Sequence, residues 1–169
     1  MIVNTTDRII WKANMIIRNV GSRDPYEIAR ALGIIVKESP FKEQKGLYTV
    51  IERNRFILIK EDLHPVMKRI VLLHEIGHDQ LHRKECRAFH EFNLFNMECQ
   101  HMEYEANLFA AQIALPDDAT VNLIQQGYNL AQVAAALHSD INLVALKVGE
   151  LSRRGYSFKI PESRSDFLK

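Results

Sequence analysis

The stretch Val71-Leu72-Leu73-His74-Glu75-Ile76-Gly77-His78 decides the predicted fold. It contains the pattern His-Glu-x-x-His, and it follows Pro65, which can open a helix with apolar residues at three- and four-residue intervals. His74 and His78 are four residues apart and share one helix face, so both imidazoles can reach one zinc ion at about 2.0–2.1 Å. Glu75 comes next to the first of them, where its carboxylate can act on the attacking water without binding the metal.

A catalytic zinc ion needs a third protein ligand and one open position. Metzincins place a third histidine six residues after the second, but this chain has Lys84 there, which excludes that class. His82 follows His78 by four residues and is one alternative ligand. The ligand is otherwise expected from a segment farther along the chain.

A second segment with helical periodicity runs from about Cys99 to Leu115 and ends before a proline, as the restriction on the preceding residue predicts. Within it Glu103 and Asn107 are four residues apart and share a face. Glu103 would bind zinc, and Asn107 could hydrogen-bond the outer nitrogen of a ligand histidine and fix its tautomer. Glu105 is the competing carboxylate.

The composition of the 169 residues is that of an ordinary globular domain, with 47% hydrophobic and 25% charged residues. The 22 Lys+Arg residues nearly balance the 21 Asp+Glu residues. This small net charge disfavours non-specific binding to nucleic-acid phosphates. No apolar run approaches the length of a signal peptide core or a membrane span. Two cysteines, Cys86 and Cys99, are too few for a disulfide scaffold, so we expect a soluble cytoplasmic protein.

The region before the motif predicts two helices. Residues from Ile9 to Val20 have helical spacing. Farther on, Asp24 can cap a helix that begins at Pro25, and Glu27 completes a capping box. Gly33 predicts where this helix ends.

Short strands are predicted between these helices and the motif. Ile34 to Val36 is a β-branched run, and Gly46 to Ile51 and Phe56 to Lys60 flank a turn at Glu52-Arg53-Asn54-Arg55. They predict a small, mostly antiparallel sheet of about three strands. A strand such as Phe56–Lys60, at the sheet edge, could hold an extended peptide by strand addition.

Shorter helices are expected after Pro116, at about Asp118–Gln126, Leu130–His138 and Asn142–Arg154. The last two resemble a helix-turn-helix with Asn142 as the cap, which favours a rival function, that of a DNA-binding regulator. The second of them carries only one basic residue in its first nine, Lys147, and few groups that could contact base edges.

The two motif segments resemble the ImmA/IrrE-type metallopeptidases, a gluzincin-like group of bacteria and mobile elements. The matching residues are Leu73–His78 with His82, then Glu103–Ala111 running into Ala114-Leu115-Pro116. The resemblance covers roughly residues 10–156. Where the family often has Leu-Leu-Met-Pro, this chain has Ile113-Ala114-Leu115-Pro116.

The resemblance implies zinc (Zn²⁺) ligation by His74, His78 and Glu103, with Glu75 as the catalytic base. It also implies a substrate class, because members encoded beside phage-type or conjugative-element repressors cleave a helix-turn-helix repressor and so act as anti-repressors. We therefore expect a site-specific zinc endopeptidase with a protein substrate and with neither a membrane nor a nucleic-acid partner. A zinc-binding adaptor without proteolysis is a further alternative.

The expected architecture is an α+β, zincin-like domain with a small, mostly antiparallel sheet, an active-site helix and a helical C-terminal part. Residues 1–116 would form the metallopeptidase core. Residues 117–160 would form helices packed on that core, and residues 161–169 would form a loose tail.

Overall fold

The structure of the protein, a computed structural model, describes residues 4–84 and 97–158. The chain divides into two compact units, Met1–Ala114 and Leu115–Lys169. Cys86 and the predicted tail at residues 161–169 lie outside the described residues.

The first unit contains four helices and three strands among its described residues: α1 (Thr5–Val20), α2 (Pro25–Ala31), β1 (Ile34–Ser39), β2 (Gly46–Ile51), β3 (Asn54–Lys60), α3 (Pro65–Leu81) and α4 (Met97–Ala114). The predicted start of α2 is confirmed, because the Asp24 side chain accepts hydrogen bonds from the backbone N–H groups of Tyr26 and Glu27. Gly33 follows the helix with a φ of 69°, a left-handed conformation that glycine adopts without strain.

The sheet is mixed, with the strand order β1-β3-β2. The α+β class is as predicted, but only one of the two strand pairings is antiparallel: β2 pairs antiparallel with β3, while β1 pairs parallel with it. The expectation of a mostly antiparallel sheet is corrected accordingly. The expectation that Phe56–Lys60 lies at an edge is wrong, because these residues belong to the central strand β3. Strand order depends on contacts between distant segments, which residue alternation within each strand does not encode.

Helices α3 and α4 approach each other closely where small residues meet. A Cβ atom built at Gly77 would lie 3.1 Å from the Cα atom of Ala106. Leu72 and Ile76 of α3 and Phe109 of α4 are fully buried in the core. This close packing places the histidine-bearing helix directly against the helix that carries the candidate carboxylates.

The rotation of α3 is fixed by a buried charge next to His78. The Asp79 side chain has no exposed surface, and its Oδ2 atom lies 2.9 Å from Nη1 of Arg55 on β3. Arg83 reaches the same oxygen at 3.0 Å. An unpaired carboxylate at this depth would be strongly destabilising, so the ion pair holds α3 in one orientation on the sheet.

The second unit contains three helices among its described residues: α5 (Asp117–Gln125), α6 (Leu130–Ala136) and α7 (Ile141–Arg153). Asn129 and Gln132 form a reciprocal capping box at the start of α6. The cap of α7 is Asp140, whose side chain accepts from the N–H of Asn142, so the expectation that Asn142 caps this helix is wrong. None of the helices in residues 4–84 and 97–158 has the length and apolar character to cross a membrane.

Candidate metal centre

His74 and His78 of α3 meet Glu103 of α4 at one point. The Nε2 atoms of the two histidines are 3.0 Å apart. Glu103 places Oε2 at 3.1 Å from Nε2 of His74 and Oε1 at 3.2 Å from Nε2 of His78. Among the described residues, this is the one group of three His, Cys, Asp or Glu side chains whose ligand atoms all lie within 4.8 Å of one another.

The spacing and the chemistry of these donors fit zinc. Ligand atoms bound at about 2.0–2.1 Å in a tetrahedral arrangement lie about 3.3–3.4 Å apart. The observed separations of 3.0 to 3.2 Å between donor atoms need only a small expansion to reach that value. Two imidazoles and one carboxylate also match the donor set of catalytic zinc sites, which leave a fourth position open.

The outer nitrogen of His74 has an acceptor. Its Nδ1 atom lies 2.9 Å from Oδ1 of Asn107. If Asn107 accepts the Nδ1–H proton, the lone pair of the neutral imidazole stays on Nε2, which faces Glu103. The hydrogen bond expected between Asn107 and a candidate ligand histidine is therefore present.

The two alternative ligands, His82 and Glu105, pair with each other, and neither belongs to the group in which the ligand atoms of His74, His78 and Glu103 converge. Nε2 of His82 lies 2.8 Å from Oε2 of Glu105. The second oxygen of Glu105 lies 3.0 Å from Nε2 of His101. The geometry therefore favours Glu103 over both alternatives as the third ligand.

The polar contacts within the group shift its acid–base equilibria. Hydrogen bonds from His74 and His78 hold the pKa of the Glu103 carboxyl well below its usual range. Burial lowers the pKa of the His74 imidazole, but the hydrogen bond to Glu103 and the negative charges of Glu75 and Glu103 raise it by more. A concentration of negative charge around the two imidazoles is the environment that a divalent cation needs.

Glu75 lies beside this group, on the side of α3 that faces Gly46 of β2. Its side chain is buried, with 8% of the residue's surface exposed, and burial raises its pKa despite the opposing influence of His74 and His78. The backbone amide of Tyr48 on β2 also lowers the pKa of the Glu75 carboxyl, by less than burial raises it. Glu75 is thus a desolvated carboxylate.

A family comparison agrees with this arrangement. Residues 29–147 match the model of a peptidase family described as the IrrE N-terminal-like domain. The matched segment is well over half of the chain and includes both α3 and α4. The chain belongs to this family.

Two relatives of the chain are named as a metallopeptidase and as a phage immunity region protein. It is 26% identical over 163 residues to a protein named metallopeptidase ImmA from Bacillus subtilis (strain 168), with 94% of this chain and 96% of that protein covered. It is 34% identical over 104 residues to uncharacterized immunity region protein 2 of Bacillus phage phi105. That match covers 60% of this chain and 65% of the phage protein, just under two thirds of its length.

Gly46 is a feature of this family member that the motif does not reveal. A Cβ atom at this position on β2 would lie 2.5 Å from Cγ1 of Val71 and 2.9 Å from Oε1 of Glu75. We expect Gly46→Ala to lower the free energy of unfolding by about 1–3 kcal/mol, because one of the neighbours must move. We also expect slower peptide cleavage at unchanged zinc content, measured beside a urea unfolding curve.

Gly149→Ala is the matched control for Gly46→Ala. Gly149 lies within α7, and a Cβ atom built there would meet no atom within 4 Å, so alanine should stabilise by about 0.5–1 kcal/mol. Wild-type stability and cleavage in Gly46→Ala would contradict the claim that this glycine makes room for Glu75.

Three contributors to the site escaped prediction from the sequence. The backbone amide of Tyr48 and the space at Gly46 come from strand β2, and the pairing of His82 with Glu105 joins two helices. The four-residue spacing between His78 and His82 was the one sequence feature that could have indicated a contact between these two histidines. Tertiary contacts determine the rest, and no local pattern reports them.

Proposed function

We propose that the protein is a zinc-dependent endopeptidase that cuts a protein substrate at a specific bond. We further propose that this substrate is a helix-turn-helix repressor of a phage or another mobile element. The observation that carries the proposal is the convergence of His74, His78 and Glu103 beside the buried carboxylate of Glu75. The names of the two relatives, a metallopeptidase and a phage immunity region protein, support the enzyme class and the setting.

Glu75 carries the proton transfers in this proposal. A zinc ion held by His74, His78 and Glu103 would act as a Lewis acid on the scissile carbonyl and on the water that attacks it. Glu75 takes a proton from that water and passes it to the leaving amine. Burial raises the pKa of the Glu75 carboxyl, and the charge of a bound zinc ion would oppose this shift and keep the base ionised.

The substrate would bind along β2. This strand is an edge of the three-stranded sheet, and a Cβ atom built at its Gly46 would lie 2.9 Å from Oε1 of Glu75, so the edge runs beside the base. An extended peptide added to this edge gains main-chain hydrogen bonds and brings its backbone to the active site. Strand β2 therefore replaces the central strand β3 as the proposed substrate-binding element.

The DNA-binding alternative has less support from the described residues. Lys147, the one basic residue in the first nine of the predicted recognition helix, is fully buried and forms an ion pair with Asp117. A buried lysine cannot reach base edges or phosphates, so the first nine residues of the predicted recognition helix present no exposed cation for such readout.

The proposal is tested by incubating the zinc-loaded protein with the helix-turn-helix repressor encoded beside its gene. Cleavage at a single bond, located by mass spectrometry of the fragments, is expected. A chelator should stop it and added zinc should restore it. If the zinc-loaded protein binds the repressor and leaves it intact, the adaptor alternative replaces the protease.

A further inference from the structure

A line of three polar groups extends from the metal centre into the protein. Nδ1 of His78 lies 3.2 Å from Nδ1 of His82, and Nε2 of His82 lies 2.8 Å from Oε2 of Glu105. His82 is 5% exposed and Glu105 is 7% exposed, so the contacts are shielded from water. Buried polar groups of this kind are costly unless each finds a partner, so the line is a built feature of the fold.

The chemistry of the imidazoles gives this line a direction. If the Nε2 lone pair of His78 binds zinc, the ring's proton must sit on Nδ1 and point at His82. Nδ1 of His82 then has to accept, which leaves the His82 proton on Nε2, where Glu105 accepts it. Each proton has one acceptor, and the line ends on a carboxylate.

We propose that His82 and Glu105 are a positioning pair for the metal ligand His78. Glu105 fixes the tautomer of His82, and His82 in turn fixes the tautomer and the ring orientation of His78. The negative charge at the end of the line strengthens His78 as a zinc donor. This inference rests on the proposed function only through the assignment of His78 as a ligand.

The other candidate ligand histidine has a different partner, which makes the pair specific to His78. His74 contacts the neutral amide of Asn107, whereas His78 is linked through His82 to a carboxylate. The two histidines are therefore expected to differ in donor strength. Loss of the group that hydrogen-bonds the outer nitrogen of a metal-binding histidine typically lowers the metal affinity by about 10- to 100-fold.

Four variants separate the positioning role from simple packing. His82→Leu removes the acceptor for His78, whereas His82→Asn keeps an oxygen near the position of Nδ1. Glu105→Gln keeps the shape of the side chain and removes its charge. His101→Ala is the matched control, because His101 contacts Glu105 at 3.0 Å from an exposed position outside the line.

The readout is the zinc dissociation constant, measured without substrate by competition with a chromophoric chelator, beside a urea unfolding curve of each metal-free variant. We expect His82→Leu and Glu105→Gln to raise the zinc dissociation constant by about 10- to 100-fold. His101→Ala should change this constant by no more than about twofold. His82→Asn should recover most of the affinity lost in His82→Leu. If His82→Leu does not fold, the zinc dissociation constant of Glu105→Gln alone tests the positioning role.

Zinc affinities within about twofold of wild type in His82→Leu and Glu105→Gln would overturn the proposal, even if both variants unfold more easily. An affinity in His82→Asn as weak as in His82→Leu would also overturn it, since ring packing would then be the cause. These results leave the protease proposal intact if the wild type binds zinc. A wild type that binds no zinc removes both proposals at once.

Discussion

Replacing Glu75 with glutamine is expected to slow peptide cleavage by about 10²–10⁴-fold while zinc stays bound, because the variant loses a general base and no ligand. Glutamine keeps the size of the side chain and removes its negative charge. The measurement is the rate of repressor cleavage at equal zinc content. A buried carboxylate beside the metal group makes this the largest catalytic effect that the site predicts.

Glu61→Gln is the control for this variant, since Glu61 is exposed and lies outside the candidate site. It should cleave at the wild-type rate. Cleavage by Glu75→Gln within about tenfold of wild type, at full zinc content, would remove Glu75 from the role of base.

Glu103→Ala is expected to weaken zinc binding by more than the approximately 100-fold that loss of an outer partner can cost. The Glu103 carboxylate is the one acid in contact with the Nε2 atoms of both His74 and His78 among the described residues. Its removal leaves two neutral donors and no carboxylate ligand. Competition with a chromophoric chelator gives the dissociation constant, and cleavage should fall in parallel.

Glu27→Ala is the matched control for Glu103→Ala, because Glu27 is an exposed glutamate on another helix, α2. It should bind zinc as wild type does. If Glu103→Ala also retains wild-type affinity, another residue supplies the third ligand, and Glu105 becomes the first to test.

Much of the candidate site could be predicted because its residues are spaced within single helices. His74 and His78 share a face of α3, as Glu103 and Asn107 share a face of α4, and these relations follow from 3.6 residues per turn alone. The start of α2 at Asp24 was predictable for the same reason, because capping depends on neighbours in the sequence.

Features that join distant segments could not be predicted in this way. The turn predicted at Glu52-Arg53-Asn54-Arg55 located β3, yet it could not place β3 in the centre of the sheet or pair it parallel to β1. The contact between Gly46 and Glu75 depends on that strand order. The choice between Asp140 and Asn142 as the cap of α7 involved two residues with similar capping preference, which composition cannot separate.

Each part of the site depends on a different structural element. Helix α3 carries the two candidate ligand histidines and the proposed base, and α4 carries the third candidate ligand, Glu103, and Asn107, which contacts the outer nitrogen of His74. Strand β2 lies against Glu75 at Gly46. Because Gly77 lets α3 and α4 approach closely, these groups meet within a few ångströms.

The central claim is that two histidines and one glutamate bind zinc, and X-ray absorption at the zinc edge of the loaded wild-type protein tests it most directly. We predict one zinc ion per chain with only nitrogen and oxygen ligands, at about 2.0–2.2 Å, and scattering from two imidazole rings. A sulfur ligand at about 2.3 Å, or a protein that retains no zinc, would contradict the assignment of His74, His78 and Glu103.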